Sequence, residues 1–278
     1  MMKKIFYIAL SVLLLNSCSS KTQEPQLQDN GKAEAVDSDD FDDIEGFDED
    51  EFLTDTVSFD SISLAKGADT DFVLLSDIVP DVIQEIRYFS TYNFVGRRIP
   101  GYEEPVAIMV RKAANALKKV SDELVEKGYR LKVFDAYRPM TAVRYFVKWA
   151  HTPSDTLTKQ YFYPDINKAD VFRLGYISSR SAHARGATID LTLFDMNTEK
   201  EVDMGGPFDF FGEISHPGYR KGLTEEQVAM RMLLRETMVK YGFKPVSSEW
   251  WHFTLRNEPF PDQQFDFPVN SESITKNK

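Results

Sequence analysis

Ser181-Ala182-His183-Ala184-Arg185-Gly186-Ala187-Thr188-Ile189-Asp190-Leu191-Thr192-Leu193 changes character at Gly186. From Ala187 onward apolar and polar residues alternate strictly, which is the repeat of a strand. Ala187, Ile189, Leu191 and Leu193 share one face and read as core, while Thr188, Asp190 and Thr192 share the other. A carboxylate in mid-strand is costly to bury without a partner. A metal ion would supply that partner. His183 lies just upstream, and Gly186 permits the tight backbone turn that lets the two side chains converge.

A second segment, Ser248-Glu249-Trp250-Trp251-His252-Phe253-Thr254, places a Glu and a His three residues apart. A plain strand would put them on opposite faces, so a turn or bulge is expected at Trp250. His252 then shares a face with Thr254, and Trp251 and Phe253 pack inward. The chain has one cysteine and four histidines, which excludes metal sites built on several thiolates. His183, Asp190 and His252 make the three-ligand set of a catalytic zinc site, which keeps a position for water. Glu249 is placed to move a proton. Taken singly, each residue reads as a core histidine or an ordinary strand Asp; their coincidence in so histidine-poor a chain favours the site.

Outward from these segments the pattern is mixed. Glu104–Lys127 carries an apolar stripe of Ile108, Val110, Ala113, Ala114, Leu117, Val120 and Leu124, and predicts a long helix stopped by Gly128. Leu131–Phe134 reads as a strand. Pro139 suits the first turn of a second helix bearing Val143, Phe146, Val147 and Ala150, with His151 at its end. Thr224 with Gln227 resembles a capping box, opening a helix that ends at Gly242. Long helices with short strands in the second half predict an α+β single domain, a small antiparallel sheet flanked by helices. The expected bounds are 66–268, with 269–278 a flexible tail.

The 278 residues are 42% hydrophobic and 28% charged, which are globular values. The net charge of −11 is concentrated in residues 29–60, where 14 acids face the single Lys32. Residues 61–278 balance, with 29 bases and 29 acids. Neither part offers the basic face that nucleic acid requires. Lys3 and Lys4 precede an apolar run, Ile5 to Leu15, too short to span a membrane and shaped like an export signal over residues 1–17. Leu15-Asn16-Ser17-Cys18 resembles a bacterial lipoprotein box, which implies lipidation of Cys18 and an exported protein tethered to a membrane at the periplasmic or cell surface. Residues 18–65 are too polar and acidic to order and read as a solvated tether. An EF-hand reading fails there, because with Gly46 at loop position six the first and last ligand positions are Phe41 and Phe52.

Ser181-x-His183 with Asp190, followed by Glu249-x-x-His252, resembles the zinc peptidases of the D-Ala-D-Ala group, which share a fold with the Hedgehog signalling domain. Phe134-Asp135-Ala136-Tyr137-Arg138-Pro139 narrows the resemblance to the D-alanyl-D-alanine dipeptidase family. Tyr92-Asn93-Phe94-Val95-Gly96, Gly101-Tyr102, Met204-Gly205-Gly206-Pro207-Phe208-Asp209 and Ser215-His216 add to it. The resemblance implies one Zn2+ held by His183, Asp190 and His252, and Glu249 as general base and then acid. It implies that Arg138 stabilises the oxyanion, Asp209 meets the substrate ammonium and Ser181 binds toward its carboxylate end. The implied substrate is a small D-amino-acid dipeptide. A D,D-carboxypeptidase acting on longer wall peptides, or a non-catalytic Hedgehog-like zinc module, would use the same ligands. Asp135 reads equally as an orienting group for Arg138 or a turn residue, and His216 equally as a group behind the site or a loop residue. Tyr92 and Phe94 read first as core.

Overall fold

The computed structural model describes residues 69–275 and the backbone of a two-residue strand, β1 (Thr56–Val57). The export signal, Cys18 and most of the acidic tether lie outside the described residues. In chain order the further strands are β2 (Phe72–Leu74), β3 (Ile83–Gln84), β4 (Ile108–Val110), β5 (Tyr129–Asp135), β6 (Thr188–Asp195), β7 (Lys200–Glu201), β8 (Phe243–Pro245), β9 (His252–Leu255) and β10 (Gln264–Phe265). The helices are α1 (Leu75–Ile78), α2 (Arg111–Glu126), α3 (Met140–Ala150), α4 (Lys159–Phe162), α5 (Glu225–Lys240) and α6 (Ser271–Thr275). Among the described residues no helix is long and apolar enough to cross a membrane.

The main sheet runs β3-β5-β6-β9-β8, with β7 paired to β6. Its pairs are antiparallel except β3–β5, which is parallel. The expected α+β architecture is therefore present, with one parallel pair at the sheet edge. β6 lies centrally, and its residues from Thr188 to Leu193 are buried on both faces. Ile189, Leu191 and Leu193 enter the core, as the alternation requires. Asp190 is consequently a buried carboxylate.

Two departures from the sequence reading have local causes. The apolar stripe from Ile108 belongs to two elements: Ile108-Met109-Val110 is β4, antiparallel to β2, and the helix begins at Arg111. Pro105 disfavours helix before it, and the β-branched Ile108 and Val110 favour strand. The tail is also not frayed as far as Thr275. Glu103 and Glu104 backbone N–H groups donate to the Val269 carbonyl, and Ser271 Oγ donates to Glu104 Oε1 at 3.0 Å. Ile274 is buried, so α6 docks on the domain and the boundary at 268 moves outward. A short polar tail conceals this, because one apolar residue in five gives no visible period.

Elsewhere the local rules operate as read. Gln227 N–H donates to Thr224 Oγ1 at 3.1 Å and Thr224 N–H to Gln227 Oε1 at 2.9 Å, which closes the capping box of α5. α3 follows Pro139 and buries Val143, Phe146, Val147 and Trp149. Phe146 and Trp149 join Tyr88, Phe94 and Phe211 in a cluster of edge-on and tilted rings. That cluster forms the floor beside the site.

Candidate metal and active site

Each ligand candidate is delivered by a specific piece of backbone. Ser181 caps the 3-10 turn Ala182–Arg185, its Oγ accepting the His183 backbone N–H at 3.3 Å. The turn ends at Gly186, in the left-handed region at φ 77°, where a Cβ would collide with the Phe72 ring. The chain then enters β6 and presents Asp190 opposite His252 on β9 in direct register. The backbone turns at Trp250 and Trp251 before β9, where Phe253 and Leu255 pack inward and His252 and Thr254 face the other side. The Trp250 N–H donates to the Ser215 carbonyl at 2.8 Å and pins this turn.

His183, Asp190 and His252 converge, with one ligand atom from each lying within 4.8 Å of the others. His183 Nε2 is 3.2 Å from His252 Nδ1 and 3.3 Å from Asp190 Oδ2. His252 Nδ1 is 3.0 Å from Asp190 Oδ1. His183 Nδ1 donates to the Ala136 carbonyl at 2.6 Å, which leaves Nε2 with its lone pair toward the cluster. A metal-binding imidazole is usually fixed in this way by a backbone carbonyl behind it. Burial pushes the Asp190 carboxyl up, but the facing His183 and His252 outweigh this and hold it well below the ordinary range. Burial pushes His252 down, and Asp190 again prevails, so the net shift is upward. The point between the three groups therefore favours a positive charge, and the donor set fits a metal ion.

Glu249 stands beside this cluster, its Oε2 3.5 Å from His252 Nδ1. Burial raises its pKa to about 7, with His252 opposing and Asp190 adding to the rise. A carboxyl in that range takes up and releases a proton near neutrality. Arg138 approaches from the loop after β5. Its Nε donates to Asp135 Oδ2 at 2.9 Å and its Nη2 lies 3.6 Å from Asp190 Oδ2. Together with Glu249 and the triad it lines a cavity of about 210 Å³. That is below the ~300–1,000 Å³ of sites for drug-sized ligands.

A family model described as D-ala-D-ala dipeptidase, Peptidase M15, matches residues 68–270. The chain belongs to this dipeptidase family. A D-alanyl-D-alanine dipeptidase of Enterococcus faecium is 39% identical over 198 residues, covering 71% of this chain and 98% of the relative. One of Streptomyces coelicolor is 37% identical over 199 residues, 72% of this chain and 98% of the relative. One of Escherichia coli is 33% identical over 186 residues, 67% and 85% respectively.

Arg138, Ser181, His183, Asp190, Asp209, Glu249 and His252 all line this one cavity, and the structure adds what sequence could not rank. Asp209 lines the cavity with its backbone at φ 61° and its side chain buried. Tyr88 O–H donates to Asp209 Oδ1 at 3.2 Å, and among the described residues Oδ2 has no hydrogen-bond partner. Burial pushes this carboxyl well up, Asp190 adds to the rise and Arg138 opposes it. Tyr88 escaped the sequence reading because nothing around it departs from a core pattern. Asp135 is no mere turn residue: fully buried, it accepts from Tyr102 O–H at 2.6 Å and from Arg138, and its Oδ2 lies 3.4 Å from His183 Nδ1. Phe94 is both core and cavity wall, whereas Tyr92 is 43% exposed and stacks over Arg87. His216 stands outside the cavity lining and accepts from Arg231 through its carbonyl. His151 caps the end of α3 at the surface, beside Phe172.

Proposed function

We propose that this chain is a zinc-dependent dipeptidase that hydrolyses D-alanyl-D-alanine to two molecules of D-alanine. The observation that supports it best is the placement, in one small cavity, of the His183–Asp190–His252 triad, Glu249 and a buried Asp209 with a carboxylate oxygen that has no hydrogen-bond partner among the described residues. His183, Asp190 and His252 hold the ion. When bound, zinc supplies Lewis acidity toward the scissile carbonyl and lowers the pKa of water. Glu249 accepts a proton from the attacking water as its oxygen adds to the amide carbon. The Arg138 guanidinium, oriented by Asp135, stabilises the negative charge that develops on the carbonyl oxygen. Glu249 then delivers the proton to the departing nitrogen as the C–N bond breaks.

Asp209 decides the substrate length. An ammonium salt-bridged there restores the charged carboxylate, whereas an acylated nitrogen brings bulk and leaves a buried acceptor unpaired. N-acetyl-D-alanyl-D-alanine is therefore expected to show kcat/KM about 10²-fold or more below that of the free dipeptide. Equal cleavage of the two in a coupled D-alanine assay would favour the D,D-carboxypeptidase on longer wall peptides. Glu249 and Arg138 speak against a non-catalytic zinc module.

In this reading the enzyme works outside the cytoplasm, lipid-anchored through Cys18, and its dipeptide comes from cell-wall turnover or salvage. Labelled palmitate should enter the full chain, and Cys18→Ser should remove the label and shift the protein to the soluble fraction. An unchanged membrane fraction in that variant would discard the anchor.

A further inference from the structure

Arg231, on α5, is a cation only 4% exposed whose charge is not balanced. Its Nε donates to the Met204 carbonyl at 2.6 Å and its Nη1 to the His216 carbonyl at 3.3 Å. Among the described residues Nη2 has no hydrogen-bond partner. Burial and the neighbouring Arg220 pull its pKa down to about 10, and Asp203, itself bonded to Gln227 Nε2 at 2.9 Å, offsets only part of this. A buried charge without a bonded counter-charge is costly, and an orphaned donor there calls for an acceptor. Arg231 lines a small cavity that shares no lining residue with the catalytic one. Arg220 and Arg235 line it too, both exposed, Arg235 one turn along α5 from Arg231, and no Asp or Glu does. Trp250, 5% exposed, completes the wall, and among the described residues its Nε1–H also has no partner. An indole nitrogen can only donate. The enclosed space is about 20 Å³, room for a single water-sized atom.

We propose that this cavity binds a small tetrahedral oxyanion of the phosphate type, held by Arg220, Arg231, Arg235 and the Trp250 indole. One oxygen enters the enclosed space and gives the buried donors of Arg231 and Trp250 an acceptor. The other oxygens stay toward solvent, where the exposed guanidinium groups of Arg220 and Arg235 reach them. The guanidinium fork matches an oxyanion in shape and charge, which a spherical halide does not. The bound anion also supplies the counter-charge that the lining lacks. Trp250 begins the turn between Glu249 and β9, and its backbone N–H is bonded to the Ser215 carbonyl. An anion shared by α5 and this indole therefore ties the helix to the segment next to Glu249. The site is separate from the substrate cavity and does not depend on which peptide is cleaved there.

The test titrates inorganic phosphate into the full chain at constant ionic strength, without substrate, and reads binding by calorimetry and tryptophan fluorescence. The wild type should bind phosphate saturably. Arg220→Ala and Arg235→Ala should each raise Kd about tenfold, in the range of a lost charge-assisted hydrogen bond. Arg235→Lys should recover part of the affinity. Both side chains are exposed and Arg231 is left in place, so these variants keep the fold. Lys221→Ala removes an equal charge from an exposed residue outside the lining and should leave Kd unchanged. Phosphate bound in the catalytic cavity instead would be indifferent to Arg220 and Arg235. The absence of saturable binding, a Kd unmoved by both substitutions, or an equal loss in Lys221→Ala would overturn the site. Chloride competing as well as phosphate would overturn its assignment to an oxyanion.

Discussion

Glu249→Gln lowers kcat by about 10²–10⁴-fold while leaving metal content and thermal stability close to those of the wild type. The argument rests on where Glu249 stands. It is outside the triad whose candidate ligand atoms converge, yet 3.5 Å from His252 Nδ1, so in the proposed role it would reach the reacting water without being a ligand. Glutamine keeps the shape and loses only the ability to take a proton. In the proposed role it loses both halves of the cycle, proton removal from water and proton delivery to the leaving nitrogen. The carboxyl is half-buried and destabilised as an anion, so neutralising it relieves a cost and does not open a cavity. Metal analysis by mass spectrometry, a melting curve and a D-alanine assay on the same sample check the three parts. Retained turnover would remove Glu249 from the mechanism. Lost zinc would make it a ligand instead.

The legibility of this protein followed the range of its interactions. β6 was visible because alternation is a local property, and Asp190 stood out because the same alternation put a charge where burial was due. The capping box of α5 and the helix after Pro139 are likewise set by residues within a turn of each other. β4 was read as helix because its apolar residues continue the stripe of α2; only pairing with β2, from a distant part of the chain, separates them. The docking of α6 depends on Glu103 and Glu104, more than 160 residues earlier, and has no local signal. The site divides in the same way. The candidate metal triad and Glu249 combine two of the chain's four histidines with acids at telling spacing. Tyr88, Tyr102 and Asp135 are ordinary residues whose importance lies in what they touch: Tyr102 holds Asp135, and Asp135 holds Arg138 and backs His183. The sequence offers Asp135 as an orienting group for Arg138 only on equal terms with a turn residue and places Tyr102 in a family segment without a role, and it gives Tyr88 nothing to set it apart from other buried tyrosines.

His183→Ala should remove the metal and lower turnover by about 10³-fold or more, since an ion of this kind supplies several kcal/mol to the reaction. The imidazole is firmly held among the three candidate ligands. Its Nδ1 bonds to the Ala136 carbonyl, its Nε2 faces the other two groups, and the ring is 2% exposed. Asp135 cannot take its place, because it lies behind the ring, where it is taken up by Tyr102 and Arg138. The variant also leaves Asp190 with one fewer stabilising partner in a buried position, so its stability should fall together with its affinity for zinc. Chelation of the wild type separates the two effects. At 100-fold saturation a bound ion contributes ~2.7 kcal/mol. For a domain of this size that is about 5–10 °C in Tm. The wild type should therefore melt lower by that amount in chelator and recover with added zinc, whereas His183→Ala should melt at one temperature in both. A wild-type Tm indifferent to chelator, with full zinc and activity in His183→Ala, would show that the ion sits elsewhere and that the convergence of the two imidazoles on Asp190 serves only to bury them.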